Sequence, residues 1–233
     1  MSTKIKICGI RRPEDCEFIN EAKPDYAGFI FWPKSFRNIS KETAAGLRKL
    51  ISDDIKTVGV FVDESPEIIK EIVDSGAISI VQLHGAEDAK YIAGLRRLLG
   101  DGTHISGSEN ADGSSTEEGG GSICIKEGGR VPEIWKACKV RSEADICAAI
   151  ESTADMILLD NGYGTGECFD HSLIRDMGRD FILAGGLTPE NIPDIISRYG
   201  PAMVDISSGV ETDGFKDRDK ILRAVRAARN NNF

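Results

Sequence analysis

The sequence predicts a single α/β domain with a TIM-type (β/α)8 architecture, and three observations carry that prediction. Eight short apolar or β-branched runs alternate with helix-like segments along the 233 residues. Six of the seven intervals between strand starts fall between 21 and 30 residues, the length of one strand-plus-helix unit. The runs are almost continuously apolar, as strands of a parallel sheet covered on both faces are. Strict βα alternation calls for a parallel sheet, and eight units at this length close into a barrel. A doubly wound open sheet is the competing architecture on rhythm alone.

The predicted strands are Ile5–Cys8, Tyr26–Phe31, Lys56–Val62, Ile78–His84, Glu133–Val140, Met156–Asp160, Phe181–Ala184 and Met203–Ser207. Most hold four to seven residues, too few for helices. The predicted helices are Pro13–Glu21, Lys41–Leu50, Pro66–Asp74, Ala86–Leu99, Ser142–Glu151, Ser172–Asp176, Pro189–Tyr199 and Asp217–Asn230. Ser40 and Ser65 stand as N-caps ahead of the second and third helices. Gly100 is placed to end the fourth. Thr188-Pro189-Glu190 reads as an N-cap, a proline in the first turn and an acid on the helix dipole.

One interval is long, and it contains a compositional break. Residues 107–122 read GSENADGSSTEEGGGS, with no large apolar side chain to bury. They are expected to form a flexible acidic Gly/Ser-rich insertion between the fourth helix and fifth strand, inside one domain spanning 1–233. That position is at the bottom of the barrel, away from the strand ends that carry chemistry in this fold. The insertion supplies four acids, Glu109, Asp112, Glu117 and Glu118, to a net charge of −9.

An acidic chain argues against general nucleic-acid binding, which needs a basic face. No apolar run reaches membrane-spanning length, and Met1–Lys6 leads straight into Cys8-Gly9 without a signal-peptide core. A cytoplasmic setting is expected, with the six cysteines reduced.

Catalytic candidates in this fold sit at the C-terminal ends of strands. Cys8 closes the first strand and Asp160 the sixth, giving a thiol and a carboxylate able to exchange protons across the barrel mouth. A buried, inert thiol is the ordinary fate of a free cysteine, and Asp160 before Asn161-Gly162 also suits a loop cap. Lys6 shares strand parity with Cys8, so it either stabilises a thiolate or pairs with an acid inside the barrel. Gly185-Gly186 before a helix, and Ser207-Ser208-Gly209, offer backbone N–H groups and hydroxyls to a phosphate. They end strands seven and eight, where barrels often bind phosphate. Arg37, after strand two, has the fork for a carboxylate or phosphate. His84 ends strand four, and no spacing with His104 or His171 marks a metal site. The run Lys216-Asp217-Arg218-Asp219-Lys220 reads as a solvated helix start.

In order along the chain, these segments resemble the phosphoribosylanthranilate isomerases of tryptophan biosynthesis. The resemblance rests on Lys6–Gly9, Ala27–Phe31 with Ser35 and Arg37, Val58–Phe61, Val81–Gly85, Leu158–Asp160 with Gly164-Thr165-Gly166 and Phe169-Asp170, Leu183–Leu187, and Val204–Glu211 with Gly214, Lys216 and Asp217. It implies a cofactor-free, metal-free Amadori rearrangement with Asp160 as general acid and Cys8 as general base. It also implies that Arg37 and Asp205 hold the anthranilate part of a phosphosugar-anthranilate substrate. Gly185, Gly186, Ser207, Ser208 and Gly209 would hold its phosphate, with His84 also at the site. Partners are limited to that small molecule, with no nucleic acid and no membrane, in a monomer or homodimer. Phe36, Asn161, Tyr163 and His171 depart from the family pattern and bear on loop shape rather than reaction type. Two competing functions are the related barrel isomerase of histidine biosynthesis, which presents an aspartate where Cys8 stands, and a phosphosugar-binding barrel without catalysis.

Overall fold

The computed structural model of the chain describes residues 3–100, 131–160, 174 and 177–230. Eight parallel strands close into a barrel in chain order. They are β1 (Lys4–Cys8), β2 (Tyr26–Ile30), β3 (Lys56–Phe61), β4 (Ile80–Leu83), β5 (Glu133–Lys139), β6 (Met156–Asp160), β7 (Phe181–Leu183) and β8 (Met203–Ile206). The ring closes where β1 pairs with β8, Lys6 opposite Asp205. The open-sheet alternative is thereby excluded.

Seven helices are described: α1 (Pro13–Ala22), α2 (Lys41–Arg48), α3 (Pro66–Asp74), α4 (Ala89–Gly100), α5 (Glu143–Ile150), α6 (Ile192–Tyr199) and α7 (Arg218–Arg229). The expected helix over 172–176 lies outside the described residues except for Ile174. So does the expected insertion at 107–122.

Side-chain alternation divides the core in two. Tyr26, Val58, Ile80, Trp135, Ala137, Leu158, Ile182, Ala184 and Met203 form the cluster inside the barrel. A second cluster lies between strands and helices, as with Ile7, Phe29, Leu83 and Leu159 against Ile19, Leu47, Leu95 and Ile221. The two shells leave the C-terminal mouth of the barrel for polar groups: Lys6, Gln82, Asp160 and Asp205 are all buried.

Helix starts follow local chemistry. Ser40 and Ser65 accept N–H bonds from Thr43 and Ile68 as N-caps. The expected start of the fourth helix at Ala86 is corrected to Ala89. The Ala86 N–H instead donates to the Asp63 carboxylate, and the Gly85 N–H to Glu87. Asp88 then accepts from the Tyr91 N–H. The expected start of α6 at Pro189 is likewise corrected. Thr188 caps a separate turn through Asn191, and the helix follows from Ile192.

The eighth strand end carries a feature absent from the strand rhythm. A 3-10 turn over Ser208–Val210 runs into a hairpin, β9 (Glu211–Thr212) and β10 (Phe215–Lys216), before α7. Asp213 and Gly214 take positive φ angles of 51° and 76° to make its tight turn. Asp217 caps α7 by accepting from the Lys220 N–H.

Candidate active site

A cavity of about 760 Å³ opens at the C-terminal ends of the strands. That is within the size range of small-molecule sites. Cys8, Arg37, His84, Asp160, Gly185, Gly186, Asp205, Ser207 and Ser208 all line it. Cys8 and Asp160 come from opposite sides of the eight-strand ring, so the cavity spans the barrel mouth between them. Gly209 does not line it. A Cβ on Gly209 would stand 1.9 Å from the Leu187 carbonyl oxygen. Its role is therefore to let the loops after β7 and β8 pack together.

Around Cys8 the site is crowded and charged. Lys6, fully buried, places its Nζ 2.7 Å from Asp205 Oδ2, and the same ammonium faces the thiol. Both readings of Lys6 hold at once: it pairs with a barrel acid and it sits beneath Cys8. Burial pulls the Lys6 pKa down, but Asp205 and Cys8 outweigh it, so the amine is held above its usual value and stays charged. Burial pushes the Cys8 thiol up, with Asp205 adding to it, and the pulls of Lys6 and Lys216 only partly oppose this. Cys8 is thus a protonated thiol in the unliganded chain. Gly28, opposite it on β2, makes the room: a Cβ there would lie 2.9 Å from Cys8 Sγ and 3.1 Å from Lys6 Cε. A glycine inside a strand is the sequence signal for such close approach.

Asp160 has a plainer setting. His84 Nε2 lies 3.2 Å from its Oδ2, and the Gln82 side-chain nitrogen lies 3.5 Å from His84 Nδ1. Gln82 and His84 share strand parity, so both face the cavity. Glu87 steadies the loops beside them, accepting the N–H groups of Asp63 and Gly85 and pairing with Lys136.

Arg37 reaches the cavity rim with two of its nitrogens already engaged. Its Nε and Nη2 meet Glu211 Oε1 and Oε2 at 2.8 and 2.6 Å, a bidentate pair. Lys216 Nζ donates to Glu211 Oε1 at 2.8 Å and to the Ser207 carbonyl at 2.9 Å. This corrects the reading of Lys216 as part of a solvated helix start, because its side chain is 1% exposed. Hairpin pairing of β9 with β10 turns it inward. Glu211 and Lys216 stand in the segments that carry the family resemblance, yet their pairing needs a hairpin whose one local signal is the Asp213-Gly214 dipeptide.

Two orphan acceptors complete the site. Among the described residues, Gln82 Oε1 and Asp205 Oδ1 are buried side-chain atoms without a hydrogen-bond partner, and both residues line the cavity. A buried acceptor left unpaired is costly, so each is suited to a donor that a ligand would bring. Ser207 Oγ is satisfied by the Cys8 carbonyl at 3.1 Å. No described helix is long and apolar enough to cross a membrane.

Fold and cavity define the class: a (β/α)8 barrel with its polar cavity at the strand ends, where enzymes of this fold work. The family model described as N-(5'phosphoribosyl)anthranilate (PRA) isomerase matches residues 5–118 and 125–227. The N-(5'-phosphoribosyl)anthranilate isomerase of Acetivibrio thermocellus is 40% identical over 235 aligned positions, covering 97% of this chain and 96% of its own. The crystal structure of phosphoribosyl anthranilate isomerase from Thermotoga maritima superposes with a TM-score of 0.76 at 34% identity, over 97% of this chain and 98% of that one. A phosphoribosyl anthranilate isomerase in complex with reduced 1-(o-carboxyphenylamino)-1-deoxyribulose 5-phosphate superposes at 0.74 with 33% identity, at the same coverage. The chain belongs to the N-(5'-phosphoribosyl)anthranilate isomerase family.

Proposed function

We propose that this chain catalyses the cofactor-free Amadori rearrangement of N-(5'-phosphoribosyl)anthranilate to 1-(2-carboxyphenylamino)-1-deoxyribulose 5-phosphate, a step of tryptophan biosynthesis. The observation that carries this is the convergence of Cys8 and Asp160 on one cavity in a chain of this family.

Asp160 donates a proton to the ribose ring oxygen, and the C1′–O4′ bond breaks to leave an open-chain protonated Schiff base. Cys8 takes the proton from C2′, and its electron pair forms the C1′–C2′ double bond of an enolamine. Tautomerisation brings a proton to C1′ and releases one from the 2′-hydroxyl, leaving the ketone. Each positioned proton transfer contributes roughly 10²–10⁴-fold. The thiol is protonated at rest, so it first gives its proton to solvent and acts as base in the thiolate form, which nearby positive charge favours. Lys6 supplies one such charge, and the protonated Schiff-base nitrogen supplies a second at the moment of need.

The orphan Asp205 Oδ1 suits the N–H of the anthranilate nitrogen, and Arg37 suits its carboxylate. Gly185, Gly186, Ser207 and Ser208 take the phosphate, which supplies remote binding energy for orientation. Every one of these residues belongs to one chain, so a monomer and a homodimer are equally competent. The protein acts in the cytoplasm as a single domain. The family match leaves out 119–124, which overlaps the expected insertion only at 119–122; 107–122 is given no part in the chemistry because it follows the fourth helix, on the face away from the strand ends.

The purified chain is expected to consume the fluorescence of N-(5'-phosphoribosyl)anthranilate. Cys8→Ser and Asp160→Asn should each lower kcat by at least about 10³-fold with thermal midpoints near that of the unmutated chain. Full activity in either variant would sink the acid–base assignment.

A further inference from the structure

The Arg37–Glu211–Lys216 cluster has a shape that substrate recognition alone does not require. An arginine meant only to attract an anion is better left unpaired, since a carboxylate beside it cancels its charge. Here Glu211 takes the guanidinium through two short bonds, and the carboxylate is itself largely buried, at 7% side-chain exposure. Burial would push Glu211 up, but Arg37 and Lys216 outweigh it and hold the carboxyl below its usual range, so it is charged.

The cluster is also built from a dedicated element. The hairpin of β9 and β10 places Glu211 and Lys216 side by side, in register with each other. Lys216 bonds the carbonyl of Ser207, in the loop assigned to the phosphate. On the outer side, Arg11 ties the same two segments together, bonding the carbonyls of Phe36 and Gly214. The hairpin therefore joins the arginine's loop to the phosphate loop.

We propose that Glu211 is a positioning residue that fixes the Arg37 guanidinium so that its remaining edge meets the substrate's carboxylate, with Lys216 locking Glu211 to the phosphate loop. This deepens the proposed function and rests on it. A guanidinium is a planar fork with five donors, and Glu211 uses two. Gripping two of them sets the plane and direction of the rest. Arg37 is further confined by Gly9, whose missing side chain leaves room for Arg37 Cδ: a Cβ there would stand 2.7 Å away. Its other face lies over the Phe36 ring, 4.1 Å from the centroid. The arrangement gives up net attraction for orientation, a trade that favours a planar carboxylate of fixed geometry.

Simple electrostatics and positioning predict opposite signs, which makes the test sharp. Glu211→Gln removes a negative charge from an anion site, so an electrostatic role predicts a lower KM. Positioning predicts a KM for N-(5'-phosphoribosyl)anthranilate raised at least about tenfold, with kcat changed less than about threefold. The inhibition constant of inorganic phosphate should stay within about twofold, because the phosphate loop is retained. A KM that is unchanged or lower overturns the proposal, as does a phosphate constant that rises by the same factor. Lys216 is left buried beside a neutral partner in this variant, so Glu211→Gln/Lys216→Met is the companion. The double variant should keep the raised KM, and its return to the original KM would assign the effect to the stranded lysine and overturn the proposal. Activity of the unmutated chain on the same substrate tests the parent reading separately.

Discussion

The two sides of the cavity hold their proton-transfer groups in different ways. On the β1–β8 side, Cys8 is packed against a fully buried lysine, a buried aspartate and a glycine with no space to spare. On the β4–β6 side, Asp160 meets the ring of His84, whose side chain is 26% exposed. The base is controlled by fixed charge in a tightly packed corner of the cavity, from the fully buried Lys6 and the buried Asp205. The acid is controlled by a hydrogen bond from a side chain that solvent still reaches. Electrostatic control needs exclusion of water, because a charge pair is worth far more in low dielectric. An oriented hydrogen bond does not. Substitutions on the Cys8 side should therefore cost stability and activity together, and those on the Asp160 side activity alone.

Lys6→Met breaks the first half of that contrast with the largest effect. It strands the Asp205 carboxylate in a buried position, and removing one partner of such a pair costs about 3–5 kcal/mol. Urea unfolding should report the loss. Lys6 is also the strongest influence opposing the upward push on the Cys8 thiol. Without it the thiol pKa moves higher still, so the pH profile of Cys8 alkylation by iodoacetamide, followed on its own peptide, should shift to higher pH. Lys6→Met/Asp205→Leu should recover most of the stability and none of the activity. A double variant that regains activity would show that Lys6 serves packing alone.

Gly28→Ala sharpens the same side without touching a charge. The added methyl would come within 3.1 Å of Cys8 Cα as well as pressing on Sγ, and the backbone atom cannot swing away. Overpacking of this kind costs about 1–3 kcal/mol. Displacing a proton acceptor by about 1 Å can cost about 10²-fold in rate. Steady-state kinetics with a thermal melt would check both, and an unperturbed kcat would mean that Cys8 has freedom the structure does not show.

The same contrast explains what sequence could reveal. The barrel was legible because a βα unit repeats along the chain, and each strand's apolar run is a local signal. Cys8, Asp160, Arg37 and the two glycine–serine loops were legible because this fold puts chemistry at strand ends. The pairing of Lys6 with Asp205 was not, since it joins residues 199 positions apart and depends on closure of β1 against β8. Lys216 was misread for a related reason. Its neighbours Asp217, Arg218 and Asp219 look solvated, and only the hairpin turn at Asp213–Gly214 carries Lys216 inward. Thr188 was read correctly as a capping residue but assigned to the wrong turn, because Asn191 intervenes with its own bonds to Thr188 and Gly186.

His84→Gln tests the other side and should have the smallest effect. With the Gln82 amide donating to Nδ1, the proton of a neutral imidazole sits on Nε2, which then donates to Asp160 Oδ2. That bond aims the carboxyl group at the ring oxygen and returns it to the same place each turnover. Losing it leaves the acid present but less well oriented, so kcat should fall about tenfold with KM nearly unchanged. Stability should move by less than about 0.5 kcal/mol, as for other partly exposed sites outside the packed core. Gln82→Leu, which removes the amide behind the ring, should reproduce part of the kcat loss. A large drop in unfolding free energy for His84→Gln, matching that of Lys6→Met, would mean the two sides are built alike after all.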